Sequence, residues 1–258
     1  MAVALRSLGL LLGVLAGAAN AAEITIRADE WLPYNGGSTL KPPGYMIEMA
    51  QAIAARNGHT VEYRTLPWER ALDAVRKGTF DCVVGAYLSD AEGFAFPSVS
   101  WGKSGNHLYG FDDNPWRYSG PESLSQVRIG VLEEYSYGDE LDAYIEANKD
   151  DPGKVNVAPG VGRGIVMLIG RLVGRKIDIF VEDLNVAAYG IERAGMTGRI
   201  IDLGQVGEDE DVYIACTPAH PRGREYADMF GKGTQELRNS GELKAILDKY
   251  KLRDWAAP

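Results

Sequence analysis

The feature that most constrains the fold is an alternation of short apolar strands with amphipathic helices, which occurs twice along the chain. The first series is a strand at 23–28, a helix at 45–57, a strand at 59–66, a helix at 68–77 and a strand at 81–86. Parallel strands joined by crossover helices produce this rhythm, because each helix returns the chain to the same end of the sheet. The chain is therefore predicted to begin with a parallel α/β unit.

A second series follows an irregular stretch at 94–105 and a strand-like segment at 107–112. Its strands are expected at 127–131, 155–158, 177–181 and 200–201, and its helices at 137–148, 164–173 and 184–194. An acidic connector at 208–211 then leads to a strand at 212–217 and two closing helices at 222–239 and 242–251. We expect two α/β lobes that are linked twice, with the closing helices packed on the first lobe. Lobe 1 is predicted to comprise residues 22–108 and 212–258, and lobe 2 residues 109–211.

The N-terminus has the pattern of a secretory signal peptide. Arg6 is followed by the apolar run Leu8 to Ala18 and by Ala19-Asn20-Ala21, which is a typical cleavage site. We expect residues 1–21 to be removed and the mature protein to be periplasmic. The new first residue would be alanine and not cysteine, so no lipid anchor is expected there, and no later apolar run is long enough to span a membrane.

Composition excludes several kinds of partner and chemistry. The formal net charge of −9 disfavours nucleic-acid binding, which depends on Lys and Arg to neutralise phosphates. No dinucleotide fingerprint, phosphate loop or nucleophile elbow is present, and the three histidines are isolated, so no cofactor, no metal site and no catalytic residue is predicted. Cys82 and Cys216 lie in strand-like runs far apart. An exported protein permits a disulfide between them, and buried free thiols in neighbouring strands are the alternative.

Candidate site residues lie where the predicted strands end, because ligands of parallel α/β sheets bind beyond the carboxyl ends of the strands. The first-lobe candidates are Trp31, Tyr34, Trp68, Arg70, Gly85 and Tyr87, and the second-lobe candidates are Ser136, Tyr137 and Asp183. Several of them have a structural alternative. Trp68 could fill the core and Arg70 could be a solvated helix charge, while Ser136 and Asp183 could cap the helices that follow them.

These residues form a pattern that resembles the solute-binding proteins of amino-acid-type ABC transporters, family 3. The carriers of the resemblance are Trp31-x-Pro33-Tyr34, Pro43-Gly44-Tyr45, Leu66-Pro67-Trp68-x-Arg70-Ala71, Gly78-x-Phe80-Asp81, Ile129-Gly130-Val131 with Tyr135-Ser136-Tyr137-Gly138, and Lys176-Ile177-Asp178 leading to Asp183. The resemblance implies the two-lobed periplasmic-binding-protein fold of type II, which closes on a small solute about a double hinge. It also implies a monomer that delivers its solute to an inner-membrane ABC permease.

The ligand class stays open at this point. Amino-acid binders of the family hold the ligand α-carboxylate with an arginine shortly after the third strand, where this chain has Glu92. Arg70 could replace that arginine, and the resemblance implies that Asp183 would hold the α-amino group. Alternatively the solute is cationic or neutral and is bound by Glu92, Glu134, Asp183 and aromatic side chains.

Three functions are consistent with the sequence. The first is transport-linked binding of a small polar, amino-acid-like solute without any chemistry. The second is an enzyme on the same fold, resembling cyclohexadienyl dehydratases, for which Glu92 is the candidate acid or base. The third is a soluble ligand-sensing partner of a receptor.

Overall fold

The computed structural model describes residues 21–133, 135–159 and 164–256. The predicted signal peptide up to Asn20, together with Glu134, lies outside the described residues. Within the described ranges, no helix has both the length and the apolar character needed to cross a membrane.

Eight strands of the described chain form one mixed sheet. The strands are β1 (Glu23–Ala28), β2 (Thr60–Thr65), β3 (Cys82–Ala86), β4 (Gly102–Phe111), β5 (Ile129–Leu132), β6 (Val155–Ala158), β7 (Ile179–Asp183) and β8 (Ile200–Cys216). Their order across the sheet is β2-β1-β3-β8-β4-β7-β5-β6. The strands β1, β2 and β3 are parallel to one another, as are β5, β6 and β7. Each predicted α/β series therefore forms one parallel end of the sheet.

Helices cover both ends of the sheet. They are α1 (Tyr45–Arg56), α2 (Trp68–Arg76), α3 (Asp139–Asn148), α4 (Gly164–Val173), α5 (Leu184–Arg193), α6 (Arg222–Ser240) and α7 (Glu242–Asp248). The apolar residues Met46, Met49 and Ile53 of α1 are buried, and they pack with Phe230 of α6 and Leu243 of α7 on the β1–β3 end. Burial at this spacing explains why the segment is a helix, since its other face is polar. The closing helices return to the first lobe, as expected.

Two antiparallel strands join the lobes. The end of β8 pairs with β3 at Cys82↔Cys216, and most of β8 pairs with β4 from Gly102↔Val212 to Phe111↔Ile200. β4 also pairs with β7. The predicted fold class, two α/β lobes with a double hinge, is confirmed; the lobe boundaries proposed above stay a prediction.

The hinge differs from the sequence-based expectation in two ways. The stretch 94–105 was expected to be irregular, yet β4 begins at Gly102, and the supposed connector 208–211 lies inside β8. The reason is pairing: Ser104 lies opposite Glu210 and Lys103 opposite Asp211. Consecutive acidic side chains disfavour a strand locally, but here the partner strand supplies the backbone hydrogen bonds, and the side chains at 208–211 remain exposed.

Cys82 and Cys216 form a disulfide. They occupy opposite positions of the antiparallel β3–β8 pair, and both are fully buried in the core of the first lobe. The bond closes a loop that contains the whole second series of strands and helices. It therefore ties together the two ends of the excursion that the chain makes into the second lobe.

Candidate functional site

A cleft of about 510 Å³ lies between the two parallel ends of the sheet. First-lobe strand ends contribute Asp29, Gly85 and Tyr87, second-lobe strand ends contribute Glu182 and Asp183, and the hinge strands contribute Ser104 and Glu210. This is the position predicted for a ligand, because the carboxyl ends of both parallel sets point toward it. Of the sequence candidates, the lining includes Trp31, Trp68, Gly85, Tyr87, Ser136, Tyr137 and Asp183.

The first-lobe wall is aromatic. Trp31 lines the cleft and stacks on Tyr34, with ring centroids 4.0 Å apart. Tyr34 itself is fully buried behind Trp31 and does not line the cleft, so it supports the wall. Trp68, the first residue of α2, is half-buried and adds a second indole. Both indoles remain partly accessible, as a recognition surface requires.

Gly85 allows Trp31 to take this position. Its φ of +87° is costly for any residue with a side chain, and the strand register shifts between Val84 and Ala86. A Cβ on Gly85 would lie 3.3 Å from the Trp31 ring. The glycine therefore produces the local bulge and leaves room for the indole.

Asp183 is the centre of a hydrogen-bond network at the hinge. Its Oδ1 accepts the backbone N–H groups of Asn185 and Val186, so it caps α5. Its Oδ2 accepts the Gly105 N–H at 3.2 Å and lies 3.0 Å from the Tyr34 hydroxyl. The capping alternative for Asp183 is therefore observed, and both carboxylate oxygens are engaged by the protein itself.

A hydrogen bond crosses the cleft between the lobes. The Tyr135 hydroxyl, from the loop after β5, donates to Oδ2 of Asp29 at the end of β1, at 2.7 Å. Burial raises the pKa of Asp29, and burial followed by the Asp29 charge raises that of Tyr135. The bond brings the second-lobe loop against the first-lobe strand end and spans the cleft.

Glu182 is a deeply buried acid of the cleft, at 3% exposure. Burial first, and then the negative charges of Asp183 and Asp29, raise the pKa of Glu182 to about 8. Burial likewise raises the pKa of Asp183 to about 6, although hydrogen bonds favour its charged form. The backbone N–H of Asp183 donates to Oε1 of Glu182 at 2.9 Å. Among the described residues, no Lys, Arg or His forms an ion pair with Glu182.

Two sequence candidates lie away from the cleft. Arg70 is exposed on α2 and Glu92 is exposed beyond β3, and neither lines the cleft. In a helix, residues two positions apart face different sides, so Trp68 can line the cleft while Arg70 points into solvent. The structure therefore gives no support to Arg70 as a carboxylate clamp, to Glu92 as a cation ligand, or to Glu92 as an acid or base.

Ser136 and Tyr137 line the cleft, with roles that differ from the sequence-based reading. α3 begins at Asp139 and not near Tyr137, so the predicted N-cap role of Ser136 is wrong. Gly138, with φ of +94°, precedes the helix, and the Ser136 hydroxyl donates instead to Asp142 at 2.6 Å. Tyr137 is 3% exposed, and its hydroxyl accepts the Leu132 N–H, so most of this ring belongs to the core.

The model of the bacterial extracellular solute-binding proteins, family 3, matches residues 24–253 of the chain. The chain belongs to this family. The match covers both lobes and the hinge, and so includes every strand that contributes to the cleft. Among curated proteins, none matches the chain.

Solved structures show the same fold. An ABC uptake transporter substrate-binding protein from Streptococcus pneumoniae with bound histidine superposes with a TM-score of 0.72 at 20% identity, covering 92% of this chain and 95% of that one. The ancestral amino-acid-binding protein AncCDT-1, a precursor of cyclohexadienyl dehydratase, gives 0.65 at 17% identity and 88% and 95% coverage. A histidine kinase sensor domain with similarity to periplasmic binding proteins gives 0.67 at 20% identity and 89% and 96% coverage. These likenesses show that the two-lobed fold is shared over most of the chain.

Several acidic residues of the site were not among the sequence candidates. They are Asp29, Glu69, Asp90, Asp139, Glu182, Glu208 and Glu210. A signal for Asp29 and Glu182 existed, because both stand at the carboxyl ends of predicted strands. Glu208 and Glu210 could not be found in this way, because their place in the cleft depends on the pairing of β8 with β4.

Proposed function

We propose that the protein is an extracytoplasmic binding protein that captures a small polar solute in the interlobe cleft and delivers it to an inner-membrane ABC permease. The observation that carries the proposal is the cleft itself, walled by both lobes and spanned by the Tyr135–Asp29 hydrogen bond. A ligand that contacts both walls binds the closed form more tightly than the open one, so it shifts the population toward closure. The closed monomer is the form that a permease would recognise.

Ligand-induced stabilisation tests this function directly. The mature chain, from Ala22, is screened by thermal unfolding against amino acids, amines, sugars and organic acids, and hits are followed by small-angle scattering and mass spectrometry. We expect at least one solute to raise the melting temperature, decrease the radius of gyration and remain chemically unchanged. Absence of any stabilising solute would refute the proposal.

The interlobe hydrogen bond provides a matched pair of variants. Tyr135→Phe removes the hydroxyl that bonds Asp29, and it should weaken binding of every stabilising solute by favouring the open form. Tyr144→Phe is the control, because the Tyr144 hydroxyl on α3 has no hydrogen-bond partner among the described residues and does not line the cleft. Equal effects of the two variants would mean that the bond across the cleft has no role in closure.

A dehydratase-like enzyme is the second candidate, supported by a different observation. A carboxyl group with its pKa raised to about 8 holds its proton at neutral pH, as a general acid must. Glu182 would supply this proton, in place of Glu92. The candidate substrates, prephenate and arogenate, are carboxylates, and the described cleft offers them no Lys or Arg. Incubation with both compounds, followed by mass spectrometry, tests for dehydratase activity. Formation of a product would show that the protein is an enzyme.

A further inference from the structure

The charged residues that line the described cleft are all acidic. Eight of its lining residues carry a carboxylate, and none of its described lining residues is Lys, Arg or His. The acids come from both lobes and the hinge, with Asp29 and Glu182 deep in the cleft and Glu208 and Glu210 exposed at its rim. A ligand carboxylate placed here would meet like charges on every described side, because interactions between charges are strong where water is excluded.

The residues that recognise a free amino acid are not available in the described cleft. A ligand α-carboxylate requires a guanidinium or a comparable cation, and Arg70 lies outside the cleft. The α-amino group was expected on Asp183, but its two oxygens already accept two helix-capping N–H groups and bind Gly105 and Tyr34. Asp183 thus connects the start of α5 to the hinge strand β4.

Glu182 accepts a single backbone hydrogen bond among the described residues, from the Asp183 N–H to Oε1. It is 3% exposed, lines the cleft and has no cationic partner among the described side chains. Buried carboxylates in proteins are normally paired with a cation or a metal. Without a cation a buried acid keeps its proton. Because Glu182 lines the cleft, a ligand cation can reach it and supply the missing partner of its charged form.

The walls favour an organic cation over a metal ion. Trp31, Trp68, Tyr87 and Tyr135 face the cleft, and aromatic faces attract ammonium and guanidinium groups. The described residues contain no group of three or more His, Cys, Asp and Glu arranged to hold a metal ion. Calcium or magnesium needs several oxygens converging on one point, whereas these carboxylates are spread around a large cleft.

We propose that the solute is an organic cation without a carboxylate, such as a diamine or a guanidino amine, and not a free amino acid. One positive group lies between the aromatic walls against Glu182 and Asp29, and further positive charge is attracted by the acidic rim. This inference rests on the proposed function, since it names the class of solute for the same cleft.

Matched pairs that differ only by a carboxylate test the inference. Isothermal titration compares agmatine with arginine, 1,5-diaminopentane with lysine, and histamine with histidine, using the mature chain at low ionic strength. We expect the decarboxylated member to bind at least tenfold more tightly than its amino acid in every pair that binds. An amino acid that binds as tightly as its amine overturns the inference. So does a protein that binds only neutral or acidic solutes, although its function as a binding protein would stand. A protein that binds no solute in the wider screen overturns the proposed function as well.

Substitutions of the cleft acids test where the bound cation lies. Glu182→Gln and Asp29→Asn should each weaken agmatine binding at least tenfold, whereas Glu122→Gln, an exposed acid outside the cleft, should leave it unchanged. Arg163 belongs to residues 160–163, outside the described ranges, and Arg163→Gln gives a separate check. Agmatine affinity should be unaffected by this change. Tight arginine binding that Arg163→Gln abolishes would identify a carboxylate clamp and overturn the inference.

Discussion

Ionisation of Glu182 should make cation binding strongly dependent on pH. Only the carboxylate attracts a cation, and the pKa of this group in the cleft without ligand is raised to about 8. The acids and tyrosines around it are Asp183, Asp29, Tyr109, Tyr135 and Tyr137, none of which turns positive on titration. His107 lies opposite Glu182 in the β4–β7 pair, but its ring is hydrogen-bonded to Asp202. Binding of a cation therefore requires Glu182 to release its proton.

The magnitude follows from the fraction of Glu182 that is ionised. With a pKa of about 8, this fraction is about 1% at pH 6, about 9% at pH 7 and about half at pH 8. The affinity for agmatine should therefore rise about 50-fold between pH 6 and pH 8, and level off above pH 9. Titrations at pH 7 in buffers of different ionisation enthalpy should show the release of nearly one proton per agmatine bound.

Glu182→Gln is the matched variant. Glutamine keeps the oxygen that accepts the Asp183 N–H but cannot ionise, so it mimics the protonated glutamic acid. Its affinity for agmatine should be lower than that of the parent protein from pH 6 to pH 9 and should change little over this range. A parent protein whose affinity is flat from pH 6 to pH 9, or a variant with the same slope as the parent, would refute the reasoning.

The same ionisation affects the stability of the protein without ligand. An acid whose pKa is raised by folding holds its proton longer in the folded state than in the unfolded state, so stability falls as the pH rises between the two pKa values. For Glu182 the loss between pH 6 and pH 8 is about 2 kcal/mol. Urea unfolding should show this loss in the parent protein and a smaller one in Glu182→Gln.

Three further perturbations act on the interlobe bond, the disulfide and the hinge. Tyr135→Phe should weaken agmatine binding about tenfold, since a hydrogen bond to a charged group such as Asp29 contributes about 1.5–3 kcal/mol; unchanged affinity by titration calorimetry contradicts this role. Replacing Cys82 and Cys216 by serine should lower the free energy of unfolding in urea by up to about 5 kcal/mol, because the disulfide closes a loop with a sequence separation of 134; an unchanged midpoint argues against the bond. Asp183→Ala should lower stability by about 3 kcal/mol through loss of the α5 cap and of a buried hydroxyl partner, and a melting temperature equal to that of the parent would exclude the hinge role.

The strand and helix pattern could be predicted from the sequence because it is local. The alternation at Glu23–Ala28 and Val155–Ala158 and the apolar stripe of Gly164–Val173 mark elements with the bounds that the structure shows. The periods of 2 and 3.6 are recorded in neighbouring residues, whatever the rest of the chain does. The same locality explains why the site was expected at the strand ends and why the indoles of Trp31 and Trp68 were found.

Only the tertiary structure decided the charge of the site. Arg70 is two residues from Trp68 in sequence but faces solvent, whereas Glu210 reaches the cleft because β8 pairs with β4. From the sequence, Asp183 was expected to bind the ligand. In the structure its carboxylate contacts Tyr34 and Gly105, which lie far from it in sequence. The sequence by itself therefore determined two α/β lobes with a cleft between them. Which acids face that cleft depends on strand register and long-range hydrogen bonds, because these bring together residues that share no local pattern.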